Sequence, residues 1–228
     1  MHFFVCYNLR MKNRDYKEFA ENEIYHIYNR GVAKMDIFKD QQDFNVFLLR
    51  LKENIYPNLL KNTETEISDK KRKRLPPHSF NLIAYCLMPN HFHLLIQQTN
   101  KTPASKLLSK LCTSYAMYFN RKYKRVGGLF QDQFKAVLIK NNAQLLWTSF
   151  YIHKNPLEAK ITYDLKDYKW NSYLEYAGLV EEDLCKKNIL IKQFNPQYDF
   201  IDDFNKTLKS KKSSHKMLEF YDLFIDIE

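Results

Sequence analysis

From Glu23 to Arg30 the chain reads EIYHIYNR, an alternation rich in Ile and Tyr that predicts a strand ending at Gly31. Phe44, Phe47, Leu48, Leu51 and Ile55 then fall at helical spacing within Asp40 to Tyr56, with Lys and Glu on the other side. An amphipathic helix stopped by Pro57 follows from that pattern. Two β-compatible runs, Asn81 to Met88 and His91 to Gln98, meet at Pro89-Asn90 and predict an antiparallel hairpin. Leu107, Leu108, Leu111, Tyr115, Tyr118 and Phe119 recur at three- and four-residue steps between Thr102 and Tyr123, a second amphipathic helix. Gly127-Gly128 breaks the chain, FKAVLIK (Phe134 to Lys140) reads as a strand, and a helix is expected from about Asn142 to His153, stopped by Pro156.

The order strand, helix, two strands, helix, strand, helix predicts an α+β fold: a ferredoxin-like or RRM-like antiparallel sheet covered by helices. WNSYLEYAG reads as a short helix ended by Gly178, and the remainder as a helical C-terminal tail. The expected organisation is one domain over residues 1–178 and a tail over 179–228. Asn58 to Ser79 is polar, carries KKRKR at Lys70 to Arg74 and Pro76-Pro77, and reads as an exposed insertion within that domain.

Composition changes this picture in one direction. With 228 residues there is length for one sizeable core, and 45% hydrophobic residues supply it. Lys plus Arg exceed Asp plus Glu by 36 to 26, a net charge of +10 that favours a polyanionic partner. Cys6, Cys86, Cys112 and Cys185 stand far apart without a CxxC pair, which fits reduced thiols in a cytoplasmic protein. The apolar stretch Phe3 to Tyr7 is too short for a signal-peptide core, and no run reaches the roughly 20 apolar residues of a membrane span. A soluble protein is expected.

On a strand, His91 and His93 project from one face while Phe92 points to the other. Two such imidazoles can converge on one metal ion; they are equally compatible with two ordinary hydrogen-bonded histidines beside a turn. Nitrogen and oxygen donors with open positions would suit Mg²⁺ or Mn²⁺ as a Lewis acid, with zinc as the rival. Cys86 is a poor zinc ligand, since no second cysteine accompanies it. In FYIHKNP, Tyr151 and Asn155 are four residues apart and share a helix face, so a phenol and an amide oxygen can reach one phosphate. With 16 tyrosines in the chain, packing or stacking is the ordinary role of any one of them. His153, two residues after Tyr151, is about 200° around the helix and is expected to face away.

Five stretches in order, YHIYNRG (Tyr25 to Gly31), LMPNHFHLLI (Leu87 to Ile96), YFNRKYKRVGGLFQDQFK (Tyr118 to Lys135), YIHKNP (Tyr151 to Pro156) and KWNSY (Lys169 to Tyr173), resemble the REP-associated tyrosine transposases. These are single-tyrosine transposases of the HUH superfamily. The resemblance runs from about residue 23 to 178. It implies a divalent metal, Mg²⁺ or Mn²⁺, held by His91, His93 and Asn155, and Tyr151 as the nucleophile that cleaves single-stranded or hairpin DNA. A 5′-phosphotyrosine link and a free 3′-hydroxyl would result, and the reaction could reverse on another strand. Repetitive palindromic elements are the DNA that this family suggests, and the chain would act as a monomer or homodimer. Arg30, Lys34, Lys106, Lys110, Arg121, Lys122, Arg125 and Lys135 are candidates for phosphate contacts, and Phe130 for stacking on an unpaired base. A nucleic-acid-binding module of domesticated type, with the sheet and basic surface but no catalysis, is the alternative from another class. It has no need of His91, His93, Tyr151 and Asn155 together. A zinc hydrolase would need a carboxylate or cysteine ligand that no spacing here offers.

Overall fold

The computed structural model describes residues 19–57, 74–181, 184–192 and 200–209. Strand β1 (Ile24–Arg30) leads through a short 3₁₀ turn (Val32–Lys34) to helix α1 (Gln41–Ile55). The hairpin β2 (Phe80–Met88) and β3 (His91–Gln98) follows, then α2 (Ala104–Lys122), β4 (Lys135–Leu138) and α3 (Asn142–Glu158). All pairings are antiparallel, in the order β2-β3-β1-β4. That is the strand order of a ferredoxin-like βαββαβ unit, and the α+β class read from the sequence holds.

Alternation sorts each strand into two faces. Tyr25 and Ile27 of β1 and Phe92, Leu94 and Ile96 of β3 join one core with the buried residues of α1 and α2. Asp40 starts α1, its carboxylate accepting from the Asp43 N–H at 3.0 Å. Phe44, Phe47, Leu51 and Ile55 of α1 meet Leu107, Leu108, Leu111, Tyr115 and Phe119 of α2 across an aromatic seam, with Phe47 5.0 Å from Phe92 and 5.1 Å from Tyr115 between ring centroids. Where the start of α1 meets the end of α2, the buried Asp43 binds Lys122 at 2.8 Å and accepts from the hydroxyls of Tyr118 and Tyr123.

The opposite face belongs to α3. Asn141 caps it by accepting from the Gln144 N–H, while Gln144 reaches back to the Lys140 N–H. The helix passes through Pro156 and ends at Glu158, two residues beyond the proline expected to stop it. Pro removes one backbone donor, and this close to the C-terminus the loss is small, since the Ala159 N–H still reaches the Asn155 carbonyl at 3.0 Å. Buried residues lie all around α3 from Thr148 to Pro156, because the helix is covered on both sides.

Its outer cover comes from the C-terminal part. Trp170 to Ser172 run along the free edge of β2: the Leu87 N–H reaches the Trp170 carbonyl, and the Ser172 N–H the Tyr85 carbonyl. Beyond them lie α4 (Tyr173–Tyr176), α5 (Asn188–Ile191) and α6 (Phe200–Lys209). Phe204 of α6 is fully buried against Phe150, His153 and Tyr173, so this part of the tail packs on the core. Most of the 58–79 insertion, including Lys70 to Lys73, lies outside the described residues, as do 193–199 and 210–228 of the tail. The insertion's two ends meet, with Arg74 Nη1 donating to the Pro57 carbonyl. Among the described residues no helix is long and apolar enough to cross a membrane.

Candidate active site

His91 opens β3 straight from a two-residue turn, and that turn is fixed from outside. The Pro89 carbonyl accepts from the N–H groups of Ile37 and Phe38 at 2.8 and 2.9 Å, and the Asn90 carbonyl from Gly31 at 2.8 Å. Gly31 is needed there: a Cβ on it would stand 2.1 Å from the Met35 carbonyl oxygen.

Cross-strand register then sets Tyr28 opposite His93 and Arg30 opposite His91. His26, Tyr28 and Arg30 therefore share the α3 face with the two histidines. The His91 and His93 rings lie 5.0 Å apart at 89°, and the His26 ring lies edge to edge with His93, their centroids 5.1 Å apart and their planes within 17°. From above, α3 brings the Tyr151 ring edge-on to His93 at 5.4 Å. Asn155, one turn later, donates from Nδ2 to the Tyr151 carbonyl at 3.3 Å, and its side chain lies beside His91. Thus His91, His93, Tyr151 and Asn155 converge from β3 and α3 on one buried spot.

Burial keeps these imidazoles neutral at physiological pH. It lowers His91 to about 4, helped by the nearby Arg30 charge and opposed by the Asn155 amide. Burial likewise holds His93 well below its ordinary value and lowers His26 to about 3. Neutral imidazole is the form that ligates a metal. Each ring is anchored at Nδ1, His91 on Asn90 Oδ1 at 2.6 Å and His93 on His26 Nε2 at 2.9 Å. Both Nε2 atoms are buried and meet no partner at hydrogen-bonding geometry, although the Asn155 amide stands close to His91. Two orphaned nitrogen donors side by side are what a divalent ion would satisfy, so the residues fit one. Among the described residues no group of three or more His, Cys, Asp or Glu side chains is placed to hold a metal. A further protein donor here would be an amide oxygen, and Asn155 is the amide in place. Cys86 sits opposite His93, but burial raises its thiol well above the ordinary value and its Sγ donates to Met88, which disfavours a thiolate ligand.

His153 faces away, as its position on the helix predicts. Its Nε2 meets Ser172 Oγ at 2.8 Å, Asn171 donates to its carbonyl, and Ser172 Oγ also accepts from the Tyr85 N–H. The KWNSY segment thereby clamps α3 to the sheet edge and fixes where Tyr151 and Asn155 hang. His26 is a site residue that sequence reasoning did not single out. Its parity with Tyr28 and Arg30 was the available signal, but its contact with His93 depends on the β1–β3 register.

The basic candidates divide by location. Arg30 and Lys135 stand on the site face, with Lys135 Nζ 5.9 Å from the Tyr28 ring. Lys34 belongs to the 3₁₀ turn at the same end of the sheet, its carbonyl accepting from Asn90. Lys106, Lys110 and Arg121 lie on α2, which packs on the other face. Lys122 is committed to Asp40 and Asp43, and Arg125 bonds Asn120. Phe130 is half-buried, edge-on to Phe92 at 6.0 Å.

Comparison with known proteins agrees with the motifs. The family described as "Transposase IS200 like" matches residues 46–155, a stretch that takes in all four converging residues and ends on Asn155. A Haemophilus influenzae protein named "Putative REP-associated tyrosine transposase" is 28% identical over 108 residues, covering 42% of this chain and 60% of that protein. This chain therefore matches less than two thirds of that relative's length. The solved structure of a REP-associated tyrosine transposase bound to a REP hairpin aligns with 74% of this chain and 87% of that one, at a TM-score of 0.52 and 11% identity. At that identity the likeness is one of fold.

Proposed function

On the premise that this chain is a relative of the REP-associated tyrosine transposases, we propose that it cleaves and rejoins single-stranded or hairpin DNA, with Tyr151 as nucleophile. His91, His93 and Asn155 would hold Mg²⁺ or Mn²⁺. Bound there, the ion supplies Lewis acidity that makes a phosphodiester more electrophilic.

The chain's own part in the reaction is positioning. Tyr151 Oη attacks phosphorus, the new Tyr–O–P bond forms, and the bond from phosphorus to the 3′ oxygen breaks. The phenol proton leaves to solvent, and the departing 3′ oxygen takes one up to become a hydroxyl. One phosphodiester is exchanged for another, so a 3′-hydroxyl can later reverse the step without ATP. Arg30 and Lys135, on the same face, supply positive charge where the phosphate backbone would lie. The hairpin in the solved relative makes a DNA hairpin the first substrate to try.

The observation that carries this reading is the pair of buried, unbonded Nε2 atoms of His91 and His93, with the Tyr151 ring edge-on to His93. Incubation with labelled hairpin DNA and Mg²⁺ or Mn²⁺ should give a covalent protein–DNA adduct on a denaturing gel, mapped to Tyr151. Tyr151→Phe should abolish the adduct and leave hairpin binding nearly unchanged. An adduct that persists in that variant overturns the assignment of the nucleophile.

A further inference from the structure

A histidine ligates through one ring nitrogen only when the proton sits on the other, so what each Nδ1 touches decides whether Nε2 can serve. For His91 the partner is Asn90 Oδ1 at 2.6 Å, an atom that only accepts. Asn90 is held that way round, because its Nδ2 donates to the Lys34 carbonyl at 3.3 Å. His91 Nδ1 is accordingly the N–H, and its Nε2 carries the lone pair.

For His93 the partner is a third histidine. His26 Nε2 and His93 Nδ1 are 2.9 Å apart, and one proton lies between them. If His93 owns it, His93 Nε2 presents a lone pair beside His91 Nε2. If His26 owns it, His93 is protonated at Nε2 and blocked. We propose that His26 is a positioning residue that accepts the His93 Nδ1 proton and so fixes His93 in its ligating tautomer, as Asn90 does for His91.

The geometry suits this role, since centroids 5.1 Å apart and planes within 17° put the 2.9 Å N···N contact nearly in the plane of both rings, where an imidazole's N–H and lone pair point. The chemistry of the acceptor matters too. A carboxylate in this place would add a full negative charge behind the ligand, whereas buried, neutral His26 adds none. The site therefore keeps a neutral donor set, which suits a weakly held hard ion that must also meet an anionic phosphate.

This inference rests on the metal-assisted reading, and its test separates the two. Long-range proton–nitrogen NMR on the metal-free wild-type chain, labelled with ¹⁵N at histidine, should show His93 protonated at Nδ1 and bare at Nε2. A proton on His93 Nε2 overturns the proposal, and this measurement needs no variant. Mn²⁺ titration, followed by the EPR signal of the free ion, should show His26→Leu binding roughly 10- to 100-fold more weakly than wild type. His26→Gln, which restores an acceptor oxygen, should recover most of that loss, with thermal melting confirming that each variant is folded. Unchanged Mn²⁺ affinity and an unchanged His93 tautomer in folded His26→Leu also overturn the proposal. Wild type that shows the Nδ1 proton yet binds no Mn²⁺ overturns the metal reading and leaves the hydrogen-bond assignment standing.

Discussion

The two faces of this one sheet are built from the same strands and both bury apolar clusters, but only one also holds the candidate site. Toward α1 and α2, β1 and β3 present Tyr25, Ile27, Phe92, Leu94 and Ile96, which meet aromatic and aliphatic side chains. Toward α3 they present His26, Tyr28, Arg30, His91 and His93 beside a second apolar cluster that includes Leu95, and the buried Nε2 atoms of His91 and His93 make no hydrogen bond. The first face supplies stability through apolar burial. The second combines apolar burial around α3 with a local cost, because those two nitrogens lose water and gain no partner until a ligand arrives. A fold carries such a cost where chemistry needs it, and the period-two alternation of a strand lets the two functions occupy adjacent residues.

Breaking the first face should give the largest effect on stability. Phe92 is fully buried against Phe47 and Phe130, and Phe92→Ala should cost about 3–5 kcal/mol in urea unfolding. The polar joint that locks α1 to α2 comes next. Burial alone would push the Asp43 carboxyl up, but the Lys122 ammonium and the donors of Lys39, Tyr123 and Tyr118 outweigh it and hold the group below its ordinary range. Asp43→Asn should cost about 2 kcal/mol at pH 7, the worth of hydrogen bonds to a charged group. The sign of its pH dependence follows from the lowered folded-state pKa. The unfolded chain takes up the proton first, so the stability that Asp43 contributes is present at neutral pH and fades as pH falls below about 4. Urea titrations should therefore show the gap between wild type and Asp43→Asn closing in acid. A gap that does not narrow at all between pH 7 and acid would assign the effect to packing instead of charge.

Sequence reading reached the faces but not what joins them. Alternation in EIYHIYNR and HFHLLIQQ, and helical spacing around Phe47 and Tyr115, were legible because each depends on residues near in the chain. The shared face of Tyr151 and Asn155 was legible for the same reason. The helix boundary at Pro156 was misjudged, since a proline in the last turn removes one donor and α3 closes around it to Glu158. Lys122 looked like a free cation on a basic helix face. Its partners Asp40 and Asp43 lie 82 and 79 positions away, and only the packing of α1 on α2 brings them in. His26 escaped notice on the same ground, being 67 positions from His93 and joined to it by strand register.

The smallest effect on stability should come from the residue next to Phe92. His91→Leu removes a buried nitrogen that has no partner and replaces it with apolar volume, while Asn90, partly exposed, can turn its oxygen to water. Urea unfolding should shift by no more than about 1 kcal/mol, since removing an unsatisfied polar group offsets the loss of the bond to Asn90. Mn²⁺ binding and the DNA adduct should both disappear. Two neighbours on one strand would then divide cleanly, Phe92 into stability and His91 into chemistry. A loss of several kcal/mol in His91→Leu would instead make the imidazole part of the packing of the apolar cluster on the α3 side.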